Sequence, residues 1–138
     1  VDAVQAAGAR LVVAPNCERE VIERAAALKM FCAPGVGTAS EALAALRWGA
    51  QALKLFPAEV WQPRGLKALA TVLPAGTALW PVGGITPETI APWRAAGATG
   101  FGLGGALYRP GDDAATAARQ ARAFVDAWHA AKDPGADD

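Results

Sequence analysis

The chain has 138 residues, 53% of them hydrophobic, and its 13 Lys+Arg balance its 13 Asp+Glu to a net charge of zero. This length and composition predict one folded domain with a core and exclude general disorder. The zero net charge argues against nucleic-acid or anionic-membrane binding, and no apolar run reaches the roughly 18 residues of a membrane-spanning helix.

The predicted strands recur in a common setting: a helix end, a Gly-Ala pair, an apolar strand, and then a loop rich in glycine or proline. Glycine suits the position just after a helix because it accepts the left-handed backbone that ends one. Such pairs at 8–9, 49–50 and 97–98 precede three of the strands. In chain order, strands are predicted at residues 10–14, 30–33, 52–56, 78–82 and 100–103.

Helical segments separate and follow these strands. Residues 38–41 (Thr-Ala-Ser-Glu) form a capping box, and Thr86 followed by a proline is typical of a helix start. The last helix is expected to turn Val125 and Trp128 inward, and a polar, frayed tail is expected at 132–138. The helices are predicted at residues 18–28, 38–48, 66–73, from 86 onward, and 113–131.

The alternation of strand and helix predicts an α/β fold with parallel strands. Two architectures fit this pattern: an open doubly wound sheet, or part of a (β/α)8 barrel. A full barrel needs at least about 200 residues. The chain can therefore hold only five β/α units of a barrel, in a single domain over residues 1–131.

Lys54 lies in the apolar run 52–57, where a charged amine costs free energy unless it is paired or solvated. Alternation along the strand places it on the face opposite Leu53 and Leu55, which in a barrel is the lumen near the C-terminal mouth. Desolvation disfavours an ammonium ion, and a neutral amine can form a Schiff base with a carbonyl. The alternative is a structural lysine that reaches water at the strand end.

Two glycine-rich turns, at 82–87 and 102–106, follow the last two predicted strands. Barrels commonly bind phosphate with the loops after their last two strands, where glycines let backbone N–H groups approach the anion. The alternative is a purely structural role for these glycines. Arg109 follows the second turn and could support a phosphate, but a solvated surface residue is the favoured interpretation. Glu59 is near enough to Lys54 in sequence to be a pocket residue, but a surface carboxylate that opens a helix is favoured.

Residues 52–59 (Ala-Leu-Lys-Leu-Phe-Pro-Ala-Glu) and 81–88 (Pro-Val-Gly-Gly-Ile-Thr-Pro-Glu) together resemble the class I 2-keto-3-deoxy-6-phosphogluconate and 6-phosphogalactonate aldolases. Residues 13–16, 33–42 and 102–109 match that family in order and spacing. Asn16 and the Leu-Tyr-Arg at the end of the last match resemble the phosphogalactonate branch more closely. The choice between a galactonate and a gluconate substrate stays open at this point.

The resemblance implies a partial (β/α)8 TIM barrel from a homotrimeric lyase of carbohydrate metabolism that uses no metal or organic cofactor. It implies reversible cleavage of a phosphorylated 2-keto-3-deoxy sugar acid to pyruvate and glyceraldehyde 3-phosphate. By the same resemblance Lys54 forms the Schiff base. The binding residues that it implies are Pro15, Phe56 and Pro57 for the substrate, and Gly83, Gly84, Gly104 and Gly105 for the phosphate.

The chain departs from the family pattern in two places. The family's first three strands, which carry its general acid/base glutamate, have no match here, so we expect an N-terminally truncated fragment that is inactive alone. Where the family usually has a serine in the last phosphate loop, this chain has Gly105, and where the phosphogalactonate branch has an aspartate it has Ala106.

Two other functions remain open: a non-catalytic half barrel that binds sugar phosphates, and another kind of phosphate-binding barrel enzyme. The sole histidine, His129, is placed on the outer part of the last helix and argues against histidine-based catalysis. The two cysteines, Cys17 and Cys32, have no metal-ligand spacing and are too few for a disulfide scaffold. We therefore expect no metal and a reducing cytoplasm.

Overall fold

Short strands alternate with helices throughout residues 1–131, the part of the chain that the computed structural model describes. The predicted polar tail at 132–138 lies outside the described residues. The strands are β1 Leu11–Val13, β2 Phe31–Ala33, β3 Gly35–Val36, β4 Ala52–Leu55 and β5 Ala78–Pro81. The helices are α1 Asp2–Ala6, α2 Arg19–Ala27, α3 Ala39–Arg47, α4 Ala58–Ala70, α5 Ile90–Ala95 and α6 Ala114–Ala130, with a 3-10 turn at Pro87–Thr89.

All strand pairings are parallel, and the predicted α/β fold is confirmed. β1 pairs with β2, and β4 lies between β3 and β5. Pro34, which has no backbone N–H, separates β2 from β3. The arrangement is that of a partial (β/α)8 barrel, and within residues 1–131 the strands do not close into a ring.

The predicted strand at 100–103 was too long. It is reduced to a single parallel bridge between Gly102 and Val82. A Cβ at Gly102 would collide with the Val82 side chain, so glycine allows this close approach. The same lack of side chains weakens strand structure around it.

The helix after β4 begins earlier than the predicted 66–73, at Ala58, and is interrupted at Gln62, where φ is 57°. The cause is Pro63, because a residue before proline is disfavoured in the helical region. The Gln62 side-chain amide donates to the Glu59 carbonyl at 2.5 Å and so satisfies one carbonyl that the break exposes. The break leaves a short first turn that carries Glu59.

One apolar cluster between the sheet and the helices forms the core. Leu53 and Leu55 of β4 are fully buried in it, as are Ile22 and Leu66 from helices. In α6 the prediction for Val125 was wrong: it is 52% exposed, and Phe124 is the buried residue. Trp128, the other residue predicted to face inward, is partly buried and packs against the core. Within residues 1–131, no helix has both the length and the apolar character that crossing a membrane requires.

Candidate active site

Lys54 lies on the face of β4 that points away from the core. Its neighbours Leu53 and Leu55 are fully buried, whereas Lys54 itself is half-buried. Its register partners are Gly35 on β3 and Trp80 on β5. The Lys54 Nζ lies 4.5 Å from the centroid of the Phe56 ring, which follows on the same side of the chain. The alternation of the strand thus presents the amine on the open face of the sheet.

An aromatic pair covers this face of the sheet beside Lys54. The rings of Phe31 and Trp80 stack with their centroids 5.4 Å apart and their planes 9° apart. On β4, Ala52 lies on the same face as Lys54, and its small side chain is fully buried. A Cβ at Gly100 would lie 2.9 Å from the Trp80 Nε1, so glycine there leaves room for the indole. The stacked rings of Phe31 and Trp80, called the aromatic floor below, form an apolar surface beside the amine.

Pro15 approaches the same face from the end of β1. The Gly35 N–H donates to the Asn16 carbonyl at 3.2 Å. A Cβ at Gly35 would collide with the Pro15 carbonyl, so only glycine allows the two backbones to approach this closely. Because Gly35 is the register partner of Lys54, Pro15 lies next to the strand that flanks the amine. Sequence reasoning did not single out Gly35, although it belongs to a matching motif.

The two glycine-rich turns meet around one cavity of about 400 Å³. It is lined by residues 82–86 of the first turn, residues 102–106 of the second, and Arg109. Gly83 and Gly84 have φ values of 112° and 63°, in the left-handed region that favours glycine. The turns that were predicted separately as phosphate-binding elements therefore form a single concave surface.

Glu59 lies beside the first glycine turn. It lies in the first turn of α4, as expected of a helix-opening carboxylate, yet its side chain packs against the first glycine turn. A Cβ at Gly84 would lie 2.7 Å from the Glu59 Cγ, and one at Gly83 would collide with the carboxylate. Glu59 does not line the cavity, so it contacts the turn from another side.

Backbone hydrogen bonds tie the start of α4 to this turn. The Val82 N–H donates to the Leu55 carbonyl at 3.0 Å, and the Ala58 N–H donates to the Val82 carbonyl at 2.9 Å. The chain segment after Lys54 and the segment before Gly83 are thus held side by side. Pro57 belongs to the first of these segments and immediately precedes α4.

Lys54 and the cavity lie at the same edge of the sheet. Gly83 comes three residues after Trp80, the register partner of Lys54. At about 3.3 Å per residue, this places the turn roughly 10 Å beyond the level of Lys54 along the strand direction. An amine and a glycine-lined cavity at this separation can contact the two ends of one extended ligand.

The cavity contains one cationic side chain. The Arg109 Nε donates to the Gly105 carbonyl at 3.0 Å, and the Arg109 backbone N–H donates to the Asp112 Oδ2 at 2.8 Å. Within residues 1–131, it is the one charged side chain that lines this cavity. Its interpretation as a solvated surface residue was incomplete: it is exposed, but it borders the cavity.

The cysteines supply no activated nucleophile. Burial raises the pKa of the Cys17 thiol, and the negative charges of the nearby Glu41 and Glu18 raise it further. Burial also raises the pKa of the Cys32 thiol. Because a thiol is far less nucleophilic than a thiolate, these groups are suited to packing. Within the described 131 residues, His, Cys, Asp and Glu side chains form no cluster of three or more that would hold a metal ion.

Known proteins resemble this chain closely. The family model described as KDPG and KHG aldolase matches residues 1–116. The 2-dehydro-3-deoxy-6-phosphogalactonate aldolase of Escherichia coli (strain K12) is 49% identical over 131 residues, covering 95% of this chain and 64% of the relative. The probable 2-dehydro-3-deoxy-6-phosphogalactonate aldolase of Rhizobium meliloti (strain 1021) is 44% identical over 123 residues, covering 89% of this chain and 58% of the relative.

The backbone shows the same likeness. A solved structure described as the native KDPGal structure superposes with a TM-score of 0.91 at 48% sequence identity. The match covers 93% of this chain and 62% of that one. This chain therefore spans less than two thirds of the length of the relatives that it matches.

Proposed function

We propose that this chain supplies the nucleophile and the phosphate site of a lyase. The chain belongs to the KDPG and KHG aldolase family. The substrate in this proposal is 2-dehydro-3-deoxy-6-phosphogalactonate, with the gluconate acid as the alternative, and the products are pyruvate and glyceraldehyde 3-phosphate. One observation carries the proposal. A half-buried lysine on the open sheet face shares a sheet edge with a cavity between two glycine turns.

Lys54 is the nucleophile in this proposal. Its amine adds to the C2 carbonyl of the keto acid, and loss of water leaves an iminium ion. The C3–C4 bond then breaks: its electron pair moves into the iminium to give an enamine, and a base takes the C4 hydroxyl proton as the aldehyde leaves. Protonation of the enamine at C3, followed by hydrolysis, releases pyruvate and restores the amine. No residue of this chain is assigned as that base.

The glycine turns hold the far end of the substrate. Backbone N–H groups of Gly83, Gly84, Gly104 and Gly105 are proposed to donate to the phosphate, which anchors the chain of the sugar acid at a set distance from Lys54. Binding both ends of the substrate contributes to catalysis because it holds the carbonyl close to the amine in the orientation that the reaction needs. Pro15, Phe56 and Pro57 are proposed to shape the pocket around the keto acid.

The proposal extends to the setting of the enzyme. As the resemblance implies, the complete enzyme is proposed to be a cytoplasmic homotrimer in galactonate degradation that needs no metal or organic cofactor. The free thiols of Cys17 and Cys32 fit a reducing compartment.

The test is to trap the Schiff base. The chain is mixed with pyruvate and borohydride, and peptides are analysed by mass spectrometry; the adduct is expected on Lys54. Lys54→Arg is expected to abolish labelling, and Lys67→Arg, at an exposed lysine on α4, is the matched control that retains it. The same variants are placed in a chimera in which this chain replaces the matching 64% of the E. coli relative. A chimera that cleaves the sugar acid equally well with Lys54→Arg contradicts the proposal.

A non-catalytic sugar-phosphate-binding half barrel is the second candidate. It is favoured by the open sheet, on which Leu11 and Val13 of β1 are about half exposed, at 49% and 50%. A chimera that binds sugar phosphate, forms no pyruvate adduct and is unaffected by Lys54→Ala supports this second function instead.

A further inference from the structure

Among the described residues, the cavity between the two glycine turns has one charged residue in its lining, Arg109, to which the proposed function assigns no role. Arg109 borders this cavity, and Gly104 and Gly105, four and five residues before it, line it as well. A Cβ at either glycine would meet nothing within 4 Å, and neither has a φ in the left-handed region. Neither packing nor backbone conformation therefore requires glycine at these two positions. The absence of side chains at these positions leaves this part of the cavity open.

The guanidinium of Arg109 is oriented by its own loop. Its Nε donates to the Gly105 carbonyl at 3.0 Å, which leaves the two terminal nitrogens as the remaining donors. The loop itself is closed by hydrogen bonds: the Leu107 and Tyr108 N–H groups donate to the Gly104 carbonyl at 2.8 and 3.1 Å. A planar guanidinium held at one edge is suited to bidentate binding of a phosphate.

No protein carboxylate occupies these donors in the described part of the chain. The ion pairs there join Arg19 to Glu23 and Arg24 to Asp2, and neither involves Arg109. The carboxylate of Asp112 accepts from the Arg109 backbone N–H instead of pairing with its guanidinium. Gly105 and Ala106, the last two residues of the second turn, have no polar side chain.

We propose that Arg109 binds the phosphate of the substrate directly through its terminal guanidinium nitrogens. This inference rests on the proposed function, because it assigns a ligand to the phosphate end of the same site. It makes Arg109 a specificity-determining residue: a phosphate monoester gains two charge-assisted hydrogen bonds that an unphosphorylated keto acid cannot form. The remaining contacts to phosphate come from backbone N–H groups.

The first test measures binding of inorganic phosphate to the unaltered chain, Arg109→Gln, Arg109→Lys and the control Arg119→Gln, at constant ionic strength. Arg119 lies on α6, where it donates to the Thr116 hydroxyl, away from the cavity. Because hydrogen bonds to charged groups contribute about 1.5–3 kcal/mol, Arg109→Gln is expected to raise the Kd by about 10- to 100-fold. Arg109→Lys recovers part of this loss, since an ammonium keeps the charge without the bidentate geometry.

A second measurement needs no variant. Phenylglyoxal modifies exposed arginines, and phosphate is expected to protect Arg109 but not Arg119 in the unaltered chain. Absence of phosphate binding, a Kd unchanged by Arg109→Gln, or equal modification of Arg109 with and without phosphate overturns the inference.

Pyruvate labelling of Lys54 separates this inference from the proposed function, because pyruvate has no phosphate. Labelling is expected to be unchanged in Arg109→Gln. If Lys54 is labelled while Arg109 proves indifferent to phosphate, only the inference about Arg109 fails. If Lys54 is never labelled in the chimera, the proposed function fails whatever the phosphate measurements show.

Discussion

The contact between Glu59 and the first glycine turn can be tested with a double-mutant cycle. Gly84→Ala introduces a Cβ that would lie 2.7 Å from the Glu59 Cγ and 3.2 Å from its Cδ. It also places alanine at a φ of 63°. The two costs are physically separate, because the clash depends on Glu59 and the backbone strain does not.

Their magnitudes follow from the geometry. A left-handed backbone costs a residue with a Cβ about 1–2 kcal/mol. Overpacking typically costs about 1–3 kcal/mol, and the lower end applies here because Glu59 is exposed and its side chain can move. Gly84→Ala is therefore expected to lower the free energy of unfolding by about 2–3 kcal/mol. In the Glu59→Ala background only the strain remains, so the coupling is about 1 kcal/mol.

Urea denaturation of the four proteins, followed by circular dichroism and tryptophan fluorescence, measures this coupling. Coincidence of the two signals checks that unfolding is two-state. Gly76→Ala is the control, since φ is 80° there as well but a Cβ would meet nothing within 4 Å. Equal losses from Gly84→Ala with and without Glu59 would refute the assigned contact.

Three further predictions concern the core, the aromatic floor and a helix cap. Leu53→Ala is expected to lower the free energy of unfolding by about 3 kcal/mol because Leu53 is fully buried, and a loss below about 1 kcal/mol in urea denaturation contradicts its place in the core. Gly100→Ala is expected to displace Trp80 and change its fluorescence at a cost of about 1–3 kcal/mol; an unchanged spectrum contradicts the close contact. Hydrogen bonding to Thr116, whose N–H donates to the Asp113 Oδ1 at 2.7 Å, lowers the pKa of the Asp113 carboxyl. The stability that this carboxylate contributes is therefore present near neutral pH and is lost as the pH falls through the lowered folded-state pKa. Asp113→Asn keeps an acceptor at the cap but does not titrate, so its Tm is expected to fall less between pH 7 and pH 3; an identical fall contradicts the assignment.

Features that depend on neighbours in the chain were predictable. The cap at Thr38 forms as the capping box predicts, with the Glu41 N–H donating to the Thr38 hydroxyl at 3.1 Å. The alternation of Leu53, Lys54 and Leu55 between buried and half-buried environments follows from the two-residue period of a strand. The family motifs also predicted a set of site residues, and the two glycine turns among them line one cavity.

Features that depend on the crossing of distant segments were not predictable from local patterns. Val125 and Phe124 both fit an apolar helical stripe, and the packing of α6 on the sheet decided between them. Likewise, the pattern at 100–103 resembles a strand, but only Gly102 pairs there, in a single bridge to Val82.

The amino-acid sequence by itself determined the α/β alternation, the helix caps and the placement of a lysine on the open face of a strand, because these depend on local backbone preferences and periodicity. Only the tertiary structure brought Glu59 against Gly84, Phe31 over Trp80 and Arg109 to the edge of the glycine-lined cavity. Each of those arrangements depends on strand register and on the direction of side chains from separate elements, and adjacent residues do not encode either.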